Sequence, residues 1–378
     1  MKIQAAVLRT TLGPASDNAA TLGEPFSIES LDLDDPREGE VLLKMAAAGV
    51  CHSDWHVVRG DTRHDLPVVL GHEGAGVVLG VGGGVDDVQP GDHVAINWSP
   101  SCGQCFYCLG GQPYLCSVYV EKIWSGMQLD GTSRLSRDGE TILQFHAVAC
   151  FADHMVVPKQ CVVPVDRELP LGVAALVGCA ATTGVGAVFN TAQVTEGSTV
   201  AIFGAGGVGL CMVMAAGLAG AGEIIVIDQR PEKLAMAESF GATATYLASD
   251  DPIERIRRHT AGRGADFVFE AVGAPAVQET CFTAARPGGK VVLAGLSPMG
   301  SGTNFPGSLI TRQEKSIHGC YYGSCDVRRD FARFGRWYQE GRLDLDRLIT
   351  RTYPLDQINA AYGDLLAGRL ARGLIVFE

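Results

Sequence analysis

Short apolar runs alternate with turns through the first 165 residues, the pattern of an irregular, β-rich region. Glu40–Met45 predicts a strand with charges near both ends, and the Val-Val-Leu and Val-Val runs either side of His72 predict two more. Pro90-Gly91 marks a tight turn. Residues 117–165 are expected to hold a loop around Gly126–Arg134 and then a strand-like return, Phe151–Pro158. From Leu171 the character changes to Ala, Val, Gly and Thr at helical spacing.

Ser198–Phe203 then predicts a buried strand, followed by a glycine loop, an apolar helix to Gly222 and a second strand, Glu223–Asp228. Further strands are expected at Ala265–Glu270 and Lys290–Gly295, each preceded by helical sequence. This β-α alternation predicts a parallel, doubly wound α/β sheet. After Gly323 the rhythm stops. Asp330–Gly341 and Leu355–Gly368 are read as amphipathic helices, and Arg372–Phe377 as a strand rejoining the first region. The expected organisation is therefore one domain from residues 1–180 and 324–378, with a second, residues 181–323, inserted into it.

Composition narrows the function classes. A 378-residue chain is long for one core, and a 47% hydrophobic content is that of a folded protein. The net charge of −12 argues against nucleic acid or an anionic membrane as partner. The apolar stretch Gly206–Gly222 opens on glycines and is read as a buried helix, and the N-terminus has too short an apolar core for a signal peptide. Twelve cysteines in that setting point to metal ligation and free thiols, so a cytoplasmic location is expected.

Cys102, Cys105, Cys108 and Cys116 follow the spacing C-x2-C-x2-C-x7-C. Four thiolates so close in sequence can close a tetrahedral shell, the signature of a structural zinc lobe at about residues 98–120. An iron–sulfur cluster takes the same four ligands, although this spacing departs from ferredoxin patterns. A second constellation is dispersed. Cys51 and His72 are zinc-favouring ligand types too far apart for a local finger, and Cys179 is the best candidate for a third. Three protein ligands with an open position describe a catalytic zinc; taken singly, the same residues are equally buried thiols and a core histidine.

Gly204-Ala-Gly206-Gly207-Val208-Gly209 follows a predicted strand and opens a helix, and Asp228 ends the next strand. That is the context a dinucleotide fingerprint requires, with glycines admitting the pyrophosphate and the acid binding the ribose hydroxyls. Asp228 predicts NAD rather than NADP, since its charge opposes a 2′-phosphate; Arg230 works in the other direction.

Together these residues resemble the zinc-dependent medium-chain alcohol dehydrogenases over essentially the whole chain. The resemblance is carried by Gly49-Val-Cys-His-Ser-Asp-Trp-His56, Gly71-His-Glu-Gly-Ala-Gly76, the four-cysteine lobe, Val177-Gly-Cys-Ala-Ala-Thr-Thr-Gly184, the glycine loop and Ala371-Arg-Gly-Leu-Ile375. It implies a Rossmann domain inserted in a β-rich, GroES-like catalytic domain, with two zinc ions per chain and NAD. It assigns Cys51, His72 and Cys179 to the catalytic zinc. Asp54 becomes the acid orienting the zinc histidine, and Glu73 the acid beside the metal. Ser53 is placed on the substrate oxygen and His56 at the far end of a proton relay through the nicotinamide ribose; on spacing alone His56 is equally an exposed loop histidine. His52 and Arg372 are implied as pyrophosphate contacts, Lys233 as a ribose contact and Thr183 as packing on the nicotinamide, with Ala294 and Tyr322 completing the cofactor site.

Trp98 and Phe145 match pocket-lining positions, which implies an apolar primary alcohol or aldehyde, aromatic or medium-chain; each alone is equally an ordinary core aromatic. His146 stands where the family often has an aliphatic residue, making part of that wall polar. Three other functions compete. Oxidation of a formaldehyde–thiol adduct calls for an acid in the loop after His56, at the position held by Thr62, one residue from Asp61. A nicotinoprotein would keep its NAD bound. A non-catalytic NAD-binding protein would have no reason to keep the ligand set with Ser53 and His56. A homodimer through the Rossmann sheet edge is expected, with a tetramer second.

Overall fold

The computed structural model describes residues 1–13 and 23–378; the β-rich reading of residues 1–50 includes 14–22, which lie outside the described residues. The chain divides into two compact units, 1–179 with 326–341 and 345–378, and 180–325 with 342–344.

The first unit is built on antiparallel pairing. Lys2–Leu8, Phe26–Leu33, Val68–Val69, Leu135–Arg137 and Glu140–Gln144 close into a small barrel. Beside it lies a seven-stranded sheet centred on Glu40–Val50, the longest strand. That strand pairs with Gly74–Val81 through Val41–Ala48, with His154–Pro158 through Glu40–Lys44, and with the C-terminal strand Arg372–Val376 through its last four residues. Its apolar side chains are buried (Val41, Leu43 and Met45 at 1% exposure or less). The pairing of residues 47–50 with 373–376 brings the two ends of the sequence together, and the chain leaves this strand directly into Cys51.

Two expectations need revision here. Residues 52–59 form a helix, so His56 is not on a loop. The polar face and eight-residue length of this helix leave little periodicity to detect. The loop expected at Gly126–Arg134 is present, with neither helix nor strand, but it is flanked by elements the sequence does not announce: a short helix, Val120–Ile123, before it, and after it the hairpin strands Leu135–Arg137 and Glu140–Gln144, joined at Asp138-Gly139, both in the left-handed region. The first C-terminal helix begins earlier than expected, at Val327, with Asp326 as N-cap.

The second unit is a six-stranded, all-parallel sheet. Its order is Ala244–Leu247, Glu223–Asp228, Thr199–Phe203, Ala265–Glu270, Ala285–Leu293, Ser316–Gly319, which reverses direction at Thr199–Phe203. That is the doubly wound dinucleotide order 3-2-1-4-5-6, with its ligand crevice at the reversal point. Helices Gly207–Leu218 and Pro231–Ser239 follow the first two strands in sequence. The helical run Leu171–Ala192 is long and apolar enough to cross a membrane by composition, but 83% of its 18-residue apolar stretch is buried, as in a core helix.

Candidate metal and cofactor sites

Cys51, His72 and Cys179 converge in the first unit, all three buried, with their ligand atoms within 4.8 Å of one another. Each arrives by a different local device. Cys51 caps the helix His52–Arg59. His72 stands between the strands Val68–Val69 and Gly74–Val81. Cys179 sits in a π-helical turn, Val177–Ala181, a distortion common at functional sites. The His72 Nε2 and Cys179 Sγ atoms are 3.3 Å apart. His72 Nδ1 is 3.1 Å from Asp54 Oδ1, which also accepts from the Gly71 amide at 2.9 Å. Donation from Nδ1 leaves the Nε2 lone pair facing the thiols, the state a metal ligand needs.

The donor set fits zinc: two sulfurs and one imidazole nitrogen, close together, in a reduced state and with the histidine tautomer held by a carboxylate. Asp54→Asn is therefore expected to weaken zinc binding at this place about 10–100-fold while the lobe keeps its metal, measurable by competition with a chelator.

Glu73 is wholly buried behind the set and forms an ion pair with Arg372 at 3.0 Å. Arg372 also donates to the Val50 carbonyl at 3.2 Å, so its guanidinium ties the C-terminal strand to the residue before Cys51. Gly49 makes the room: a Cβ there would fall 2.2 Å from the Glu73 carboxylate. Ser53 is half-buried, its hydroxyl 3.7 Å from Cys51 Sγ. His52 is exposed at the helix start. His56 is half-buried one turn on, with Nδ1 3.2 Å from Asp61 Oδ2, and Arg59 Nε is at the same distance from that oxygen. Sequence spacing offers Asp61 only as a neighbour of the thiol-adduct position. Its pairing with His56 has no sequence signal, because the end of the helix is what brings position 61 back.

Aromatic rings wall the metal-ligand histidine. Trp98 and Phe145 meet His72 edge-on at 5.9 and 6.0 Å between centroids, and His146 lies at 5.8 Å. Trp124 joins them, 4.5 Å from His146 and 6.2 Å from Phe145, and His64 packs on Phe145 at 5.5 Å. Neither Trp124 nor His64 carries a sequence signal. His146, Ala147 and Ala149 all have positive φ (54, 61 and 64°), a strained stretch for residues with a Cβ. Gln128 holds it by donating to the Ala147 and Val156 carbonyls. Burial pushes the His146 imidazole well below its ordinary range, so it is neutral. Its Nδ1 is buried without a hydrogen-bond partner among the described residues, an omission that costs about 1–3 kcal/mol unless a ligand or water supplies one.

The four cysteines of the lobe also converge, with Cys105–Cys108 at 3.5 Å, Cys105–Cys116 at 3.9 Å and Cys102–Cys108 at 4.0 Å between sulfurs. All are free thiols. The Cys105 thiol is pulled down to about 5, chiefly by the Cys108 backbone N–H, whereas burial first and then Cys105 push Cys108 up to about 12. Backbone donors aimed at sulfur suit thiolates held on a cation, and no fifth ligand position is called for.

In the second unit, Gly204 has a φ of 101°, and a Cβ on Gly209 would fall 1.9 Å from the Gly204 carbonyl. Glycine at these two positions is what lets the strand turn into the helix. The half-buried Asp228 accepts from the Ala205 amide at 2.8 Å and the Arg230 amide at 3.0 Å, which fixes its carboxylate beside the glycine loop. Arg230 is exposed. Gly206 and Val208 are half-buried on the loop, Gly207 is buried, Lys233 is buried on the following helix, Thr183 and Ala294 are half-buried and Tyr322 is buried.

Comparison with known proteins agrees with this geometry. Residues 37–167 match the family described as alcohol dehydrogenase GroES-like domain, and residues 207–340 that described as zinc-binding dehydrogenase. A curated NDMA-dependent alcohol dehydrogenase of Amycolatopsis methanolica is 38% identical over 100% of this chain and 99% of its own. Two solved structures superpose with a TM-score of 0.92: an alcohol dehydrogenase zinc-binding domain protein from Burkholderia ambifaria (34% identical, covering 100% of this chain and 99% of that one) and benzyl alcohol dehydrogenase from Acinetobacter calcoaceticus (30%, covering 100% of both). With two converging zinc-type ligand sets, a dinucleotide fold and relatives matched end to end, the chain belongs to the zinc-dependent medium-chain alcohol dehydrogenases.

Proposed function

We propose that the protein interconverts primary alcohols and aldehydes, aromatic or medium-chain, with NAD. The observation that carries this is the buried Cys51–His72–Cys179 set walled by Trp98, Phe145 and Trp124. Zinc held by those three residues supplies Lewis acidity that makes an alcohol hydroxyl more acidic, and the nicotinamide supplies the hydride acceptor. The chain does the rest. Asp54 keeps His72 oriented. Ser53 Oγ, beside Cys51, takes the hydroxyl proton toward the relay. His56, with Nδ1–H donated to Asp61, keeps Nε2 as the proton acceptor. The aromatic wall excludes water and presents apolar surface to the carbon skeleton.

The test is turnover of benzyl alcohol by metal-quantified protein, with NAD, with NADP, with added thiol and with NDMA. NADH release with alcohol alone is the expected result. Activity only with thiol would sink the reading. The thiol-adduct alternative is disfavoured because Asp61 is already engaged by His56 and Arg59 and Thr62 is buried. A second reading has specific support: the Amycolatopsis relative is named for NDMA dependence, so NAD that stays bound, with turnover only when NDMA is added, would identify a nicotinoprotein.

NAD is expected to be preferred over NADP in kcat/KM by about 100-fold or more, and Asp228→Ser to reduce that ratio at least tenfold, because a carboxylate fixed by two amides repels a 2′-phosphate. Equal use of both cofactors would refute this. We also place the protein in the cytoplasm, which suits twelve free thiols. A homodimer through the terminal strand Ser316–Gly319 of the parallel sheet is our assembly proposal, to be read from the mass in light scattering.

A further inference from the structure

We infer that His146 reads a hydrogen-bonding substituent on the substrate, so that the preferred alcohols are hydroxylated aromatic ones rather than plain benzyl alcohol. This rests on the reading of the aromatic-walled space beside the metal ligands as the alcohol pocket. Four observations converge. His146 is 3% exposed and Nδ1 has no partner among the described residues, so it is a polar group for which the protein itself makes no provision. Its ring lies within 4.1–5.8 Å of Phe145, Trp124, Trp98 and His72, between the aromatic wall and a metal ligand. Its backbone is held in the left-handed region by Gln128, which grips the next residue's carbonyl, so its placement is enforced at a cost. The hydrogen-bonding nitrogens nearest in the wall are in part committed elsewhere, His72 Nδ1 to Asp54 and His64 Nδ1 to the Asp65 carbonyl, and the Phe145 ring offers only carbon surface.

An imidazole among aromatic faces provides one donor and one acceptor beside flat apolar surfaces. The ligand complementary to that is a benzene ring carrying a hydroxyl. A purely aliphatic alcohol would bury the imidazole without a partner, and a site built to bond a hydroxyl discriminates strongly against an isostere that lacks it.

The test uses the holoenzyme and reads ratios within each variant, which do not depend on the fraction folded. kcat/KM is measured for the three hydroxybenzyl alcohols against the corresponding methylbenzyl alcohols, with benzyl alcohol as reference and zinc content determined. In the wild type at least one hydroxyl isomer is expected to exceed its methyl counterpart tenfold or more. His146→Leu should collapse that ratio, and His146→Asn, which tolerates positive φ and keeps both hydrogen-bonding functions, should retain part of it. A wild-type ratio near one for all three isomers, or a ratio unchanged in His146→Leu, overturns the inference. If benzyl alcohol turns over without a hydroxyl preference, the aromatic-alcohol reading survives and only this inference falls; if no aromatic alcohol turns over, both fall.

Discussion

Cys179→Ala is expected to lower the zinc content from about two ions per chain to about one, and kcat/KM by roughly 10³-fold or more, with the fold intact by circular dichroism. Removing the sulfur leaves a two-donor site, Cys51 and His72, whose atoms cannot close a shell on the metal. Loss of the Lewis acid forfeits several kcal/mol of transition-state stabilisation, and each ~1.4 kcal/mol is a factor of ten in rate. The fold should survive, because the change removes one small atom from within residues 173–182, all of which are buried. Cys281→Ala is the control: that thiol is equally buried, in the core cluster of the parallel sheet, and its loss should leave zinc and turnover unchanged. Full activity in Cys179→Ala would remove the zinc mechanism altogether.

The lobe should respond in the opposite way, through stability first. Replacing Cys105 and Cys108 together by alanine is expected to remove the other zinc, lower the midpoint of thermal inactivation by about 10 °C or more, and open residues 102–116 to proteolysis. The segment has almost no core of its own: Phe106 is 82% exposed, Leu109 76%, and among the four ligands only Cys116 is buried. Its helix Phe106–Leu109 is a single turn. A stretch with so little buried surface is ordered by its metal, and structural zinc contributes its binding energy directly to folding. Even a loss of about 4 kcal/mol shifts the midpoint by roughly 10 °C in a unit of this size. Metal analysis with limited proteolysis decides it: an ordered, protease-resistant lobe after zinc loss would show that the four thiols are not what holds it.

Much of the fold and the site is legible in the sequence, and for identifiable reasons. The central strands of the parallel sheet are continuous runs such as Thr199–Phe203 and Ile224–Ile227, buried on both faces, so hydrophobicity alone betrays them. The outer strands give no such signal. Ala244–Leu247 is only half-buried throughout, and Ser316–Gly319 is short and polar, because an end strand is bonded on one side only. The four-cysteine lobe is readable because its ligands are local, with fixed spacing. The glycine loop is readable because Gly209 admits no Cβ against Gly204 and Asp228 lies one strand further on.

The chemistry available is thus written in the residues: thiolates and imidazoles of zinc-binding type, a dinucleotide loop with its acid, and a family pattern running from end to end. Which groups meet is set by the packing of the folded chain. Cys51 and Cys179 are 128 positions apart and are joined by a strand end, a helix cap and a π-turn, none of which is written in local spacing. The Glu73–Arg372 pair depends on two strands of opposite chain ends lying side by side. The wall around His72 draws Trp98, Trp124 and residues 145–146 from three separate segments, and gives His146 a neutral, unpartnered nitrogen there. Burial, tautomer and partner choice are properties of the packed neighbourhood, and a neighbourhood assembled from distant segments exists only once the chain has folded.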